Sequence, residues 1–437
     1  FPTRRSSDLA VMHRQPVPRQ RPLLVDCSNP VRIRATSFCA LCVITTDKKA
    51  GTVERNVTLD FVRGVAILGI LLLNISAFGL PKAAYLNPAW YGAITPQDAW
   101  TWAFLDLIGQ VKFLTLFALL FGAGLQMLLP RGRRWIQSRL TLLVLLGFIH
   151  GLLFWDGDIL LAYGLVGLIC WRLVRDAPSV KSLFNTGVML YLVGLGVLLL
   201  LGLISDSQTS RAWTPDASSI LYEKHWKLHG GVEAISNRAD GVGNSLLALG
   251  AQYGWQLAGM MLIGAALMRS GWLKGQFSFR HYRRTGFVLV AIGVIINLPA
   301  IALQWRLDWA YRWCAFLLQM PRELSAPFQA IGYASLFYGF WPQLSRFKLV
   351  LAIACVGRMA LTNYLLQTLI CTTLFYHLGL FMQFDRLELL AFVIPVWLAN
   401  IFFSVIWLRY FRQGPVEWLW RQLTLRAAGP TISKTSR

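Results

Sequence analysis

Charged residues are scarce in this chain of 437 residues. Asp, Glu, Lys and Arg make up 14% of the sequence, 56% is hydrophobic and the mean hydropathy is +0.51. Because soluble domains usually contain about 25% charged residues, this composition argues against a soluble globular protein. The high apolar content also excludes a disordered or collagen-like chain. Repeated apolar stretches of about 20 residues indicate a polytopic membrane protein instead.

Several sequence signatures of catalysis and metal binding are absent as well. The sequence has no Walker A loop, no GxSxG nucleophile elbow, no convincing GxGxxG and no clear internal repeat. Cys39 and Cys42 form a CxxC, but no second pair completes a zinc site. His225 and His229 are four residues apart without the HExxH arrangement. We therefore expect no metal site and no permanently bound cofactor.

The first 52 residues differ in character from the rest of the chain. Residues 1–9 resemble a sequencing adapter translated in one frame, and residues 10–52 show no sustained hydrophobic periodicity. Val53 is a candidate start, because a GTG codon encodes Val inside a longer frame but can initiate translation as Met. We therefore interpret residues 1–52 as a disordered, non-native extension and exclude them from the fold argument.

The remaining sequence contains ten apolar segments, which predict about ten transmembrane helices. They lie near residues 61–80, 103–129, 140–155, 159–174, 184–204, 245–268, 285–304, 325–342, 350–381 and 389–408. The fold class is therefore all-α, with a transmembrane domain over residues 53–408. Residues 409–437 form a tail with an amphipathic helix that begins at Pro415 and carries a structural Glu417–Arg421 pair.

The net charge of +22 is explained by the loops on one side of the membrane. Basic residues follow each even-numbered span, and they include Arg131, Arg172, Arg269, Arg346 and Arg409. The positive-inside rule places these loops and both termini in the cytoplasm. Residues 81–100, 205–244 and 305–324 then lie outside, and 205–244 is the longest outer loop. The expected partner is thus a lipid bilayer and not a nucleic acid.

Polar residues inside the spans are the candidate functional residues, because they are costly in a membrane and usually face the bundle interior. In the first span, Asp60 and Arg63 are three residues apart and can pair. Arg63 and Asn74 share a helix face roughly 16 Å apart. The structural alternatives are an arginine that reaches the interface and an asparagine that bonds a neighbouring helix.

A histidine near the outer end of the third span has two acidic residues after it. His150 is followed by Asp156 and Asp158. A histidine beside a carboxylate is typical of proton transfer, because its pKa can lie near neutrality. The alternatives are a histidine used in helix packing and an Asp158 that stabilises the N-terminus of the next helix.

The ninth span carries a polar stripe. Arg358, Asn363, Tyr364 and Gln367 lie in the segment GRMALTNYLLQ, within a long apolar run. Such a stripe predicts either a lined cavity or hydrogen bonds between helices.

Four stretches resemble a bacterial inner-membrane family of unassigned function, domain of unknown function family 418. They are residues 54–69, 154–160, 357–367 and 414–421. The resemblance covers essentially all of residues 53–437 and implies a multi-pass protein of the bacterial inner membrane. That family is distantly similar to the transmembrane acyltransferase clan, which includes the acyltransferase-3 and heparan-glucosaminide acetyltransferase types.

The clan resemblance implies transfer of an acyl group from cytoplasmic acyl-CoA to an unknown acceptor at the outer face. Arg63 matches the arginine of the clan's Arg-x10-His pattern and would contact CoA phosphates or the pantetheine path. Asn74 stands where the pattern has His, and an amide cannot act as a general base near neutral pH. Either His150, oriented by Asp156 or Asp158, supplies the base from another helix, or the chemistry is lost.

Two function classes remain open. In an acyltransferase, Asn74, Asn363 and Tyr364 would orient the substrate or stabilise the developing oxyanion. In a small-molecule transporter or permease, Arg358 with Asp60 would gate a path, although no repeat between the halves is visible. A non-catalytic membrane partner is the third possibility.

Overall fold

The structure, a computed structural model, describes residues 56–92, 94–205 and 210–429. The predicted extension at residues 1–52 lies outside these residues. Over the described ranges the chain forms helices and no strand. The main helices are α1 (Val57–Gly79), α2 (Pro96–Ile108), α3 (Lys112–Leu128), α4 (Arg133–Leu153), α5 (Leu160–Asp176), α6 (Val180–Ile204), α7 (Ala217–His229), α8 (Gly231–Ala248), α9 (Gly254–Arg269), α10 (Phe279–Arg306), α11 (Gln319–Gly339), α12 (Lys348–Arg358), α13 (Ala360–Thr372), α14 (Arg386–Tyr410) and α15 (Pro415–Ala428).

Within the described ranges, seven helical segments are long and apolar enough to cross a membrane. They are Val57–Gly79, Pro96–Arg131, Arg133–Leu153, Val180–Ile204, Gly231–Arg269, Phe279–Arg306 and Arg386–Tyr410. The bent pair Lys348–Arg358 and Ala360–His377 gives an eighth if it is counted as one span. Helices α5 and α11 occupy the other two predicted segments but do not meet the same test of length and hydropathy. The all-α, multi-span class is confirmed, while the count of ten and the side of the termini stay predictions.

Helix α1 lies at the centre of the bundle and packs against α3, α12, α13 and α14. Two glycines allow its closest approach. A Cβ added at Gly357 would collide with the carbonyl oxygen of Asp60, and one at Gly64 would collide with that of Ile353. Small residues let membrane helices touch backbone to backbone. This contact between α1 and α12 brings Arg63 close to the end of α12.

The junction between α2 and α3 is an interrupted span held by buried polar side chains. Val111 has a φ of 69°, so the helix cannot continue through it. Nζ of Lys112, which is fully buried, donates to the carbonyl of Asp106 at 2.7 Å. Nε2 of Gln329 on α11 donates to the carbonyl of Leu107 at 3.0 Å. These contacts satisfy carbonyl groups that the helix break leaves free, as an apolar surrounding requires.

The same junction contains a buried ion pair. Nη1 of Arg322 on α11 lies 3.1 Å from Oδ2 of Asp106 on α2, and each side chain is only 1% exposed. Nδ2 of Asn297 on α10 donates to Oδ1 of Asp106 at 2.9 Å. The carboxylate of Asp106 thus connects helices α2, α10 and α11. This finding corrects the assignment of residues 305–324 to an outer loop, because Arg322 lies inside α11 and within the bundle.

We expect Asp106→Asn to destabilise the protein strongly, because Arg322 would remain buried without its counter-charge. Breaking a buried pair in this way costs about 3–5 kcal/mol. The control is Asp176→Asn, whose pair with Arg175 is exposed on the surface and should contribute little, because solvent screens it. Equal unfolding temperatures of the two variants in detergent would contradict a stabilising role for the buried pair.

The predicted ninth span is not one helix. Helix α12 ends at Arg358, helix α13 begins at Ala360, and the two helix axes meet at 90°. The sequence expectation of an uninterrupted span over residues 350–381 is therefore wrong. The bend turns the N-terminus of α13 and the side chain of Arg358 toward the same internal cavity, which is described below.

Candidate functional site

His150 and Asp158 form a buried pair between α4 and the start of α5. Nδ1 of His150 lies 2.7 Å from Oδ1 of Asp158, and each side chain is 4% exposed. Because a carboxylate only accepts hydrogen bonds, Nδ1 carries a proton in this contact, and in the uncharged form of the ring Nε2 then has a lone pair. Oδ2 of Asp158 accepts the backbone N–H of Leu161 at 2.8 Å. Asp158 thus stabilises the first turn of α5 and fixes the ring of His150. Of the two carboxylates expected beside the histidine, the structure pairs Asp158 with it.

The second ring nitrogen of His150 is buried and has no hydrogen-bond partner among the described residues. The ring of Tyr364 lies 5.5 Å from the histidine ring, measured between centroids. The hydroxyl oxygen of Tyr364 accepts the backbone N–H of Ile159 at 3.2 Å. A histidine with one nitrogen held by a carboxylate and the other unoccupied has the arrangement of a general base.

A cavity of about 300 Å³, here called the basic cavity, lies among α1, α3, α4, α5, α12 and α13. Arg63, Arg139 and Arg358 line it, together with Tyr364 and Glu417. Arg63 also pairs with Asp60 across a distance of 3.1 Å, as their spacing predicts. Three guanidinium groups against one lining carboxylate make this cavity electropositive.

A second cavity of about 240 Å³, the central cavity, lies among α3, α5, α6, α9 and α11. Its polar lining consists of Asp158, Glu323, Gln256, Thr115 and the tyrosines Tyr163, Tyr191 and Tyr253. Among the residues that the structure describes, no lysine or arginine lines it. The central cavity is therefore polar and electronegative.

A third cavity of about 400 Å³, the loop-side cavity, is lined by residues of α1, α7, α8 and the loop before α5. Asn74, Lys82, Trp155 and Asp156 are in its wall. Nζ of Lys82 lies 3.9 Å from Oδ2 of Asp156. Asp156 thus faces this cavity, while Asp158 faces the central one. Asn74 is 8% exposed, and its side chain makes no hydrogen bond with the described residues.

A buried lysine lies in the wall of the loop-side cavity. Nζ of Lys227 lies 2.7 Å from Oε1 of Glu223, one turn earlier on α7. Burial lowers the pKa of Lys227, but Tyr376, Glu223 and Asp156 raise it by more, so the pKa is above its ordinary value. This side of the cavity therefore carries a permanently charged ammonium group with its own counter-ion.

One residue borders all three cavities. Ile159, beside Asp158, lines the basic, central and loop-side cavities. Tyr163 lines both the basic and the central cavity, and Leu114 lines both the central and the loop-side cavity. The three cavities therefore share Ile159 as a wall residue, next to Asp158, while His150 is not among the described residues that line them.

Helix α15 covers one side of the basic cavity. Oε1 of Glu417 accepts the backbone N–H of Thr362 at 3.0 Å, and the Thr362 hydroxyl donates to the other carboxylate oxygen. Nε1 of Trp420 donates to the carbonyl of Arg139, whose guanidinium lies 3.4 Å from the indole centroid. The amphipathic helix expected in the tail is present. However, Glu417 binds the first turn of α13 instead of forming the predicted pair with Arg421.

The other predicted residues of the ninth span mostly hold helices together. Nδ2 of Asn363 donates to the carbonyl oxygens of Val356 and Met359 and to Oγ of Ser404. Nε2 of Gln367 donates to the carbonyl of Ile67 on α1 at 3.4 Å. These contacts hold the bend between α12 and α13 and attach α13 to α1.

Sequence reasoning missed three residues that line the cavities. Arg139 directly precedes the predicted span 140–155 and so falls among the loop charges, and Glu323 falls within the predicted outer loop 305–324. Gln256 was not considered, although it is a polar residue inside an apolar span. The sequence feature that could identify Glu323 as a residue inside the bundle is its position only two residues before an apolar run.

Comparison with known proteins shows the family to which the chain belongs. A family model described as "Protein of unknown function (DUF418)" matches residues 267–427. The uncharacterized protein YeiB of Escherichia coli (strain K12) is 98% identical over 384 residues, which cover 88% of this chain and 100% of that protein. The chain belongs to the DUF418 family. The expected resemblance to this family is thereby confirmed.

A more distant member shows how far the family similarity extends. The uncharacterized protein YxaH of Bacillus subtilis (strain 168) is 30% identical over 412 residues, which cover 88% of this chain and 98% of that protein. An uncharacterized 39.9 kDa protein of Bacillus acidopullulyticus is 26% identical over 399 residues, or 87% of this chain and 97% of that protein. No solved structure matches the chain. The DUF418 match includes Arg358, Tyr364 and Glu417 of the site.

We expect Asn363→Ala to lower the free energy of unfolding by about 1–3 kcal/mol, because buried carbonyl groups at the bend would lose their donor. The control is Asn237→Ala, since the Asn237 amide binds Tyr222 on the exposed surface of α8. Chemical unfolding in detergent measures both. Wild-type stability in Asn363→Ala would contradict the structural role and favour the substrate-orienting role expected from the sequence.

Proposed function

We propose that this protein is an acyltransferase of the bacterial inner membrane. It moves an acyl group from acyl-CoA in the basic cavity to an acceptor that enters through the loop-side cavity. The observation that carries the proposal is the position of Asp158, the partner of His150, beside Ile159, which lines all three cavities. An oriented base at a junction between two entrances is what transfer between two substrates requires.

The basic cavity suits the donor. CoA carries several phosphate charges, and Arg63, Arg139 and Arg358 line the cavity. Arginine binds phosphate well because its planar guanidinium offers paired donors. The predicted orientation places this end of the bundle, which carries α15, in the cytoplasm, where acyl-CoA is made.

The chemistry follows from the two nitrogens of the histidine. Nε2 of His150 takes the proton of the acceptor hydroxyl or amine while the acceptor atom bonds to the thioester carbon. The carbon–sulfur bond then breaks, and the histidine returns the proton to the thiolate of CoA. The Tyr364 hydroxyl, whose oxygen already accepts from Ile159, donates its own proton in a hydrogen bond to the oxyanion. Asn74 lines the loop-side cavity, through which the acceptor enters, and is not required as the base.

Calorimetry with acetyl-CoA and the full chain in detergent tests the donor site. We expect Arg63→Ala to weaken binding by about tenfold or more, since a hydrogen bond to a charged group contributes about 1.5–3 kcal/mol. Arg172→Ala, an exposed arginine at the end of α5, should bind as the wild type does. His150→Ala should bind acetyl-CoA normally but release CoA thiol about 10²–10⁴-fold more slowly. A folded protein that binds no acetyl-CoA would disprove the donor site.

The junction itself gives a second prediction. Ile159→Trp places a larger side chain beside all three cavities. Acetyl-CoA should still bind to this variant, but the release of CoA thiol in the presence of ethanolamine or glycerol as acyl acceptor should be lost. Ile169→Trp is the matched control, because Ile169 is on the same helix and is 64% exposed. Normal thiol release in folded Ile159→Trp would show that the reaction does not pass through this junction.

A small-molecule transporter is the second candidate function, and the position of the three cavities around the single residue Ile159 favours it. A transporter would move solute across proteoliposomes without acyl-CoA. Solute flux that is independent of acyl-CoA, together with absent acetyl-CoA binding, would replace the acyltransferase proposal with this one.

A further inference from the structure

The central cavity differs in charge from its neighbours. Asp158 and Glu323 line it, and within the described part of the chain no basic residue does. The two nearby cations make their direct contacts with Asp106, because Lys112 donates to its carbonyl and Arg322 pairs with its carboxylate, and they act on Glu323 only through space. The carboxylate of Asp158 already has a partner, because it contacts His150. Glu323 is therefore the lining carboxylate that remains for a ligand.

The carboxylate of Glu323 has no hydrogen-bond or ion-pair partner within 56–92, 94–205 and 210–429. The contact made by its residue is through the backbone, where the Tyr191 hydroxyl donates to the carbonyl at 2.6 Å. The side chain is half-buried inside the bundle, and the space that it lines is the central cavity. An acidic side chain inside a membrane bundle is costly and marks a functional site by default.

A second lining residue also has an unused hydrogen-bonding group. Gln256 is 6% exposed. Its Oε1 accepts from Gln252 at 2.7 Å, while its Nε2 has no acceptor among the described residues. A buried amide donor without an acceptor costs free energy, so a ligand oxygen at this place would be stabilising.

The remaining walls suit an organic cation. The rings of Tyr163, Tyr191 and Tyr253 line the cavity, and aromatic faces attract ammonium groups. In the described part of the chain, no group of three or more His, Cys, Asp or Glu residues is arranged to hold a metal ion. The cavity volume of about 240 Å³ exceeds the volume of about 150 Å³ that holds benzene in an engineered cavity.

We propose that the central cavity binds a small primary amine that also carries an oxygen, with its ammonium group on Glu323 and its oxygen on Gln256. Ethanolamine is the simplest molecule of this class. In the proposed acyl transfer, such an amine would be the acceptor. Amine binding is measured without acyl-CoA. The amine site can therefore be disproved while acetyl-CoA still binds, and the acetyl-CoA site can be disproved while the amine still binds.

Calorimetry on the full chain in detergent compares ethanolamine with ethylene glycol, which keeps the oxygen but lacks the charge. Ethanolamine should bind saturably, and ethylene glycol should not. Glu323→Gln should weaken ethanolamine binding by about tenfold or more, as the loss of a charge-assisted contact implies. Glu233→Gln, at a half-buried position on α8 that is far from the central cavity lining, should leave it unchanged. Equal binding of the two compounds, or unchanged affinity in Glu323→Gln, would overturn the proposal.

A second variant tests the same site if Glu323→Gln does not fold. Gln256→Leu should weaken the binding of ethanolamine but not of ethylamine, which has no oxygen to accept from Nε2. Equal losses for both amines would contradict the assigned role of Gln256. Displacement of ethanolamine by sodium chloride but not by choline chloride would identify an inorganic cation site and also overturn the proposal.

Discussion

The architecture depends on one constraint, which is that every backbone group freed at a helix break must find a partner inside the bundle. Hydrocarbon offers no hydrogen bonds, so an interrupted span is stable only when side chains replace the missing helical contacts. Lys112 and Gln329 do this between α2 and α3. Asn363 does it between α12 and α13. The same polar residues that are expensive in a membrane thus make the two irregular junctions possible.

These junctions determine where the cavities lie. The bend after Arg358 directs one arginine and the first turn of α13 toward the basic cavity, and Glu417 of α15 binds that turn. The interruption before Lys112 brings Val111 and Thr115 to the wall of the central cavity. A bundle of straight, uniformly apolar helices would pack its side chains closely and leave no such spaces.

The sequence predicts the parts that depend on local pattern. Hydropathy identifies the helices, and the short distance between His150 and Asp158 makes their pairing predictable, although Asp156 was an equal candidate. The bend at Met359 was not predictable, since neither Gly nor Pro stands at residues 358–360 of an apolar run. Glu323 falls in a predicted loop because hydropathy averages over many residues, whereas its burial depends on contacts with residues such as Tyr191 that are distant in the sequence.

The cavities differ more clearly in the charge of their lining residues than in their shape. Three arginines line the basic cavity, two carboxylates line the central cavity, and an isoleucine lies where both meet. An anionic ligand is therefore attracted to the first space and repelled from the second, and the opposite holds for a cation, because electrostatic interactions are strong where water is excluded. Two ligands of opposite charge would thus meet at Ile159 with their uncharged reactive ends facing each other. His150, whose free nitrogen is buried beside that point, is then close to the bond that must form.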